Sequence, residues 1–177
     1  IKRFETFRLT DILKPGDIIN VRVKDIKGEE PLFSLEQEPL VQGALVSIEV
    51  STGYIRAIVG GYDFNKSEFN RAVFAKRQAG SAFKPVVFAT AIDYGYTPAS
   101  LVMDAPLSYA NEGFGDWTPG NYDDKYHGPT RLREALAYSR NIATIKLLEE
   151  IGVQRVIKFA RGVGINGPFP NDLTLAL

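Results

Sequence analysis

The sequence predicts an α+β protein: an antiparallel sheet and a buried helix, then further helices, all preceded by a short all-β segment. Three observations predict it. An apolar hairpin pattern runs from Ala44 to Gly61, an apolar helical pattern from Gly80 to Tyr94, and three more helical patterns lie between Thr130 and Arg161. With 45% hydrophobic and 24% charged residues, the 177-residue chain has the balance of a globular protein and not of a disordered one.

Residues 1–38 read as short strands. Pro15-Gly16 is a turn, Ile19, Val21 and Val23 alternate with Asn20, Arg22 and Lys24, and Gly28 separates them from the run Leu32 to Leu35. This stretch is too short to bury a core by itself, since domains below about 40 residues rarely fold without metals or disulfides. It is expected to be the C-terminal remnant of a small β domain or a linker, with a boundary at Pro39 and the main domain over 39–177. The chain opens on Ile1 and not on Met, so it reads as a fragment of a longer protein.

Gly43 to Val50 reads as a strand, Ser51-Thr52-Gly53 as a tight turn and Tyr54 to Val59 as the returning strand. Apolar residues on both faces predict a sheet covered on both sides. Tyr62 to Gln78 reads as loop. In Gly80 to Tyr94, Val86, Val87, Phe88, Ala89, Ala91 and Ile92 wrap nearly all round, the pattern of a buried central helix. Gly95 to Pro129 is a long punctuated connection, and loops of that length are usually functional. Leu132, Ala135, Leu136 and Ser139 fall on one face of a helix over Thr130 to Tyr138. Two more helices follow, Ile142 to Ile151 stopped by Gly152 and Val153 to Arg161 stopped by Gly162.

The totals narrow the chemistry. Twenty-one basic and 21 acidic residues give zero net charge, which argues against nucleic acid as the main partner. The chain has no Cys and one His, His127, which excludes disulfides, thiolate nucleophiles and multi-His metal sites. Nucleophilic catalysis is left to Ser, Thr, Lys or a carboxylate. No apolar run approaches the ~18 residues of a membrane span.

Ser81 and Lys84 form an S-x-x-K pair at the start of the buried helix, where residues three apart are neighbours. The alternative is a plain N-cap at Ser81 and a surface Lys84. Against it, a capping box wants Glu or Gln at the third position, and the helix dipole disfavours Lys there. A Lys desolvated against a helix N-terminus has its pKa lowered, as a base for a Ser nucleophile requires. Eight Ser and ten Lys give about 0.5 such pairs by chance, so the pair needs company. Ser139-Arg140-Asn141 supplies it. Ser139 on an apolar helix face needs an internal partner, and Lys84 can be that partner. The bland reading is a Ser ending one helix and an Asn141 capping the next.

Gln78-Ala79-Gly80-Ser81-Ala82-Phe83-Lys84-Pro85 resembles the active-site serine motif of penicillin-binding transpeptidases. Arg131 to Asn141 resembles their second motif, and Trp117-Thr118-Pro119-Gly120-Asn121-Tyr122 the segment that precedes it in the bifunctional, class A members. The hairpin Ala44 to Gly61 is similar to the strands that open the domain. Residues 1–38 are similar to the end of the oligonucleotide-binding-like domain inserted in some of those proteins. The resemblance implies a serine D,D-transpeptidase that crosslinks peptidoglycan stem peptides and is acylated by β-lactam antibiotics, in a membrane-anchored parent on the periplasmic side. It implies Ser81 as nucleophile, Lys84 as base, Ser139 as proton relay and Asn141 as donor to the substrate amide, with no metal or organic cofactor.

The sequence departs from the family in one respect: the third motif, Lys-Thr-Gly, is absent from these 177 residues. In the family its strand supplies an oxyanion-hole donor, and losing such a donor costs about 2.7–4 kcal/mol. The fragment is therefore expected to be inactive alone. It is also expected to self-associate through an exposed sheet edge and through apolar surface around Val87, Phe88 and Ile92. A serine β-lactamase or D,D-carboxypeptidase shares these motifs, but a β remnant upstream suits a bifunctional synthase better. A non-catalytic penicillin-recognising sensor is the remaining alternative. His127 reads as a loop residue, Trp117 as a packing anchor, and Asp123-Asp124 as a solvated turn, since no further carboxylates stand at ligand spacing.

Overall fold

Two-residue alternation gives way to helical spacing near residue 77, and the architecture changes at the same place. The computed structural model describes residues 8–26, 30–110 and 115–177, so Gly28 and the first residues lie outside them. One compact unit ends at Lys76 and a second runs from Arg77 to Leu177.

In the first unit a single helical turn, α1 (Leu9–Ile12), stands where strand was expected. Asp11 Oδ2 accepts from the Arg8 N–H at 3.0 Å. β1 (Asn20–Asp25) and β2 (Leu32–Glu36) pair antiparallel, Val21 opposite Leu35 and Val23 opposite Phe33. β3 (Leu45–Ile48) and β4 (Ile55–Val59) form the expected hairpin, with a register shift between Ser47 and Ile48. The predicted cover on both faces is a correction: the neighbours Leu45 and Val46 point to opposite sides and both are exposed, as are Ile58 and Val59. The stretch read as loop holds one helical turn, α2 (Arg71–Phe74), capped by Asn70 Oδ1 on the Ala72 N–H at 3.0 Å. Gly60 is required beside it, because a Cβ there would lie 2.7 Å from the Asn70 Cα.

The second unit is helical around one small sheet. A 3-10 turn (Gly80–Phe83) runs directly into α3 (Lys84–Asp93). β5 (Leu101–Asp104) pairs antiparallel with β6 (Gly128–Arg131), inside and at the end of the segment expected to be a connection. Tyr109 and Trp117 form a further bridge, their rings stacked 5.5 Å apart. α4 (Leu132–Ala137), α5 (Asn141–Ile151) and α6 (Val153–Gly162) follow, then a 3-10 turn (Leu173–Ala176).

The central helix is α5, not α3. Ile142, Ala143, Thr144 and Ile145 are consecutive and all buried, and Leu147, Leu148 and Ile151 are buried after them. The helix α5 is thus enclosed on all sides in its first turn and exposes only Glu149 and Glu150 near its end. α3 buries one stripe, Lys84, Val87, Phe88 and Ala91, at the spacing i, i+3, i+4, i+7, with Thr90 alongside. The expected apolar exposure on α3 is therefore corrected. Val87 is 0% and Phe88 5% exposed, and only Ile92, at 45%, faces outward. The helix α6 takes in Gly162 and is closed after it by Gly164. Gly164 (φ +88) donates to the Arg161 carbonyl at 3.0 Å, and Ile165 to that of Ala160 at 2.9 Å, a Schellman closure.

Candidate active site

The site begins with a backbone that only glycine adopts easily. Gly80 has φ +54 and turns the chain into the 3-10 turn that carries Ser81. In 3-10 geometry side chains at i and i+3 eclipse, which puts Ser81 over Lys84. Neither helical segment has a side-chain cap bond, so Ser81 is not an N-cap. Its side chain is exposed and makes no hydrogen bond among the described residues. Phe83, between the two, is buried against Phe169 with ring centroids 5.8 Å apart, which anchors the turn.

Lys84 is 1% exposed and opens α3. Its Nζ donates to the Ser139 carbonyl at 2.7 Å, Ser139 Oγ at 3.0 Å and Asn141 Oδ1 at 2.6 Å. An ammonium has three donors, and all three are used. Burial nonetheless pushes the Lys84 pKa below the ordinary lysine value. Three of the four residues expected at the centre are thus brought into contact, while Ser81, three residues before Lys84, makes no side-chain hydrogen bond to them among the described residues.

Ser139 gets there by a route that helical periodicity missed. It does not lie on the apolar face of α4, because α4 ends at Ala137 and Ser139 is exposed. Its φ is +54. The Ser139 N–H donates to the Leu136 carbonyl at 3.0 Å and the Arg140 N–H to that of Ala135 at 2.8 Å. That is a Schellman closure with Ser where Gly is usual. The same closure ends α3 with Gly95 (φ +94). A strained Ser in a place that the protein elsewhere fills with glycine turns both its carbonyl and its hydroxyl towards Lys84.

Asn141 is the first residue of α5 and not its cap; Arg140 takes the cap position without a side-chain bond. Asn141 Nδ2 donates to the Gly120 carbonyl at 3.0 Å, and the other N–H of the amide finds no partner among the described residues. Arg140 Nη1 donates to Asp123 Oδ2 at 2.6 Å, and His127 Nε2 lies 3.2 Å from the same oxygen. The Arg140 hydrogen bond, with help from His127 and the Lys125 N–H, holds the Asp123 carboxyl down to about 2. His127 is in a loop, and half-buried Trp117 packs against the core. A cavity of about 240 Å³, lined by Asn121, Tyr122, Asp123, Tyr138, Ser139 and Arg140, opens beside the Lys84 cluster. Asn121, buried in the cavity wall, falls in the family-like segment Trp117 to Tyr122, but its partner Asp104 stands in no motif; its signal in the sequence was a polar Asp ending the apolar run Leu101-Val102-Met103.

Comparison with known proteins places this geometry. Penicillin-binding protein 1A of Neisseria meningitidis serogroup A is 44% identical over 170 residues, 94% of this chain and 21% of the relative. The chain therefore spans about a fifth of the length of such relatives. The crystal structure of penicillin-binding protein 1A from Haemophilus influenzae superposes with a TM-score of 0.78 at 36% identity, covering 82% of this chain and 22% of that one. Penicillin-binding protein A of M. tuberculosis, solved as an imipenem acyl-enzyme complex, superposes with a TM-score of 0.52 at 26% identity, covering 60% and 28%. The family described as the penicillin binding protein transpeptidase domain matches residues 43–175, from the β3–β4 hairpin through the last 3-10 turn. Spanning most of the sequence and every residue of the Lys84 cluster, that match makes this chain a member of the penicillin-binding protein transpeptidase domain family.

Proposed function

We propose that this chain is the nucleophile-bearing part of a peptidoglycan D,D-transpeptidase and acts within a longer class A penicillin-binding protein, in keeping with the length of its relatives. The observation that carries the reading is the buried Lys84 Nζ, held by Ser139 and Asn141 one turn below an exposed Ser81. The Ser139 carbonyl and Asn141 Oδ1 only accept, whereas the Ser139 hydroxyl can accept or donate. When Lys84 is neutral its two N–H groups serve the two fixed acceptors, and the Ser139 hydroxyl can turn to donate to the lone pair. Such a contact moves a proton without moving heavy atoms.

In the proposed reaction Ser81 Oγ attacks the carbonyl carbon of the D-Ala-D-Ala peptide bond and gives its proton to neutral Lys84. The C–N bond then breaks, and the proton returns through Ser139 to the departing D-Ala amine. The free N–H of Asn141 holds the substrate amide carbonyl. The amine of a second stem peptide attacks the acyl-enzyme carbonyl; the ester C–O bond breaks, the amine's proton passes through Lys84 back to Ser81 Oγ, and the crosslink forms. Atoms and electrons balance without a cofactor. A β-lactam enters the same path, its ring amide taking the place of the peptide bond. The acyl-enzyme that the M. tuberculosis relative forms with imipenem supports this part of the reading.

The domain is proposed to begin at Pro39, with residues 1–38 belonging to a separate β segment; the family match starting at residue 43 supports the division. The working protein is proposed to be membrane-anchored with this domain on the extracytoplasmic side. Among the described residues no helix is long and apolar enough to cross a membrane.

The test is labelled penicillin on the full-length protein, followed by mass mapping of the modified peptide. Label on Ser81 is expected; label on Ser139 or elsewhere would refute the assignment. Lys84→Arg is expected to abolish acylation, since a guanidinium does not deprotonate. Acylation retained in that variant would show another base at work.

A further inference from the structure

We infer that Asn121 is a positioning residue for the Lys84 centre: backed by the buried carboxylate of Asp104, it clamps the Asn141-Ile142 start of α5 from which an acceptor of Lys84 projects. The inference rests on the transpeptidase reading and deepens it.

Asp104 ends β5 and is 0% exposed. A fully buried carboxylate without a cation must be satisfied by neutral donors. Its partners are Asn121 Nδ2, at 2.8 Å to Oδ1 and 3.0 Å to Oδ2, and the His127 N–H at 3.3 Å. Asn121 is 5% exposed. The second hydrogen of its Nδ2 goes to the Lys125 carbonyl at 2.8 Å, and its Oδ1 accepts the Ile142 N–H at 3.2 Å. Two acceptors face the amide nitrogen and one donor faces its oxygen, so the orientation is dictated by its neighbours. No other side chain of this size offers the same set. Asp lacks the donors and would meet a second carboxylate, and Leu lacks both functions.

The clamp is reciprocal. Asn121 receives the Ile142 N–H while Asn141, one residue earlier, donates to the carbonyl of Gly120, one residue before Asn121. Two neighbouring residues on each segment are cross-linked, which fixes direction as well as distance. The Ile142 N–H is one of the helix-end donors without a partner inside α5, and Asn121 fills that place from a remote loop where a local cap would normally do so. The other amide group of Asn141 is the 2.6 Å acceptor for Lys84. Any drift of this helix end therefore moves an acceptor off the amine. Misplacement by about 1 Å costs catalytic centres on the order of 100-fold.

The experiment uses the full-length protein and the variants Asn121→Asp, Asp104→Asn and the two combined, the combined one exchanging donor and acceptor across the buried pair and keeping the net charge. Acylation by labelled penicillin is followed in time, reading the rate constant and the fraction of molecules labelled. Asn121→Asp is expected to slow acylation about 10-fold or more at full labelling. The combined variant is expected to be faster than Asn121→Asp but to stay below the native rate, because the Lys125 carbonyl is left without its donor. In it the amide introduced on β5 donates to the carboxylate introduced in the loop, and that carboxylate still receives the Ile142 N–H. An unchanged rate in Asn121→Asp overturns the inference, as does a smaller labelled fraction at native rate, which is the mark of a merely structural role. If Asn121→Asp alone does not fold, the combined variant decides: folded and acylated at a measurable rate supports the clamp, unfolded or unreactive overturns it. Ser81→Ala in the same assay separates the two layers. Labelling that survives it overturns the transpeptidase reading and this inference with it. Labelling lost there, with native rates in the Asn121 variants, overturns the inference alone.

Discussion

At Lys84 two effects oppose each other: three acceptors favour the ammonium, and burial favours the neutral amine. Burial prevails, so the folded-state pKa lies below the ordinary lysine value, which the unfolded chain restores at about 10.4. Unfolding then takes up a proton at any pH between the two values, and stability rises with pH across that window. The cost of the buried charge is fully present below the folded pKa and is relieved as pH approaches about 10.4. Lys84→Met removes the titrating group at similar volume. Urea unfolding of both proteins at several pH values is expected to show the native protein gaining on the variant as pH rises; a constant difference would contradict it. Asp123 runs the other way. Its pKa is held at about 2, chiefly by Arg140, so its contribution is complete above about 3.9 and lost as pH falls towards 2. Carboxyl NMR should place its midpoint near 2, and in Arg140→Gln nearer about 3.9. A native midpoint at the ordinary carboxylate value would show that the ion pair does not form in solution.

Between residues and whole molecule stand the helix ends. The Schellman closure after α4 holds Ser139 at φ +54, while Gly95 and Gly164 hold the same place after α3 and α6. A side chain in this region costs about 1–2 kcal/mol. Ser139→Gly and Ser139→Ala both remove the hydroxyl, but only Ala keeps the Cβ. The Gly variant is expected to be the more stable by about 1 kcal/mol in urea unfolding, with acylation slowed in both. An Ala variant as stable as Gly would mean that the turn is not strained. On α3 the buried stripe makes a sharper contrast. Phe88→Ala should cost about 3–5 kcal/mol and Ile92→Ala about 1 kcal/mol or less, because only the first empties a filled site. Equal losses would place Ile92 in the core.

For the chain as a whole, the exposed hairpin matters most. β3 and β4 are paired only with each other among the described residues, and Leu45, Val46, Ile48, Ile55, Ile58 and Val59 are all exposed. A two-stranded sheet is marginal in water, and its free edges recruit other strands. The 177-residue chain by itself is expected to self-associate at micromolar concentration, as sedimentation would show; a monomer there would defeat the expectation. It is also expected to react with penicillin far more slowly than the full-length protein, because no Lys-Thr-Gly segment is present to complete the oxyanion hole. Stoichiometric acylation of the isolated chain would show that the third motif matters less.

What the sequence determined by itself is the local part. The hairpin from Ala44 to Gly61, the helix from Gly80, the stop at Gly152 and the Ser81–Lys84 spacing rest on neighbours in the chain, and neighbours are what periodicity and turn residues report. A contact between Lys84 and Ser139 is expected there too, but from a Ser139 on an apolar helix face, and the structure brings the two together with Ser139 exposed beyond the helix end. The contact of Lys84 with Asn141 has no signal in the sequence. Tertiary structure decided the rest. β5 finds β6 across an intervening loop, with a Pro in the second strand, so no local pattern marks the pair. α5 and not α3 takes the centre, because both are apolar and only packing chooses between them. Ser139 leaves its helix face through a closure that sequence normally announces with Gly. Asp104 looks like an ordinary strand-end polar residue, and the family-like segment holding Asn121 does not show whom that Asn must meet, until burial denies both of them water and each has to find its partners inside the protein.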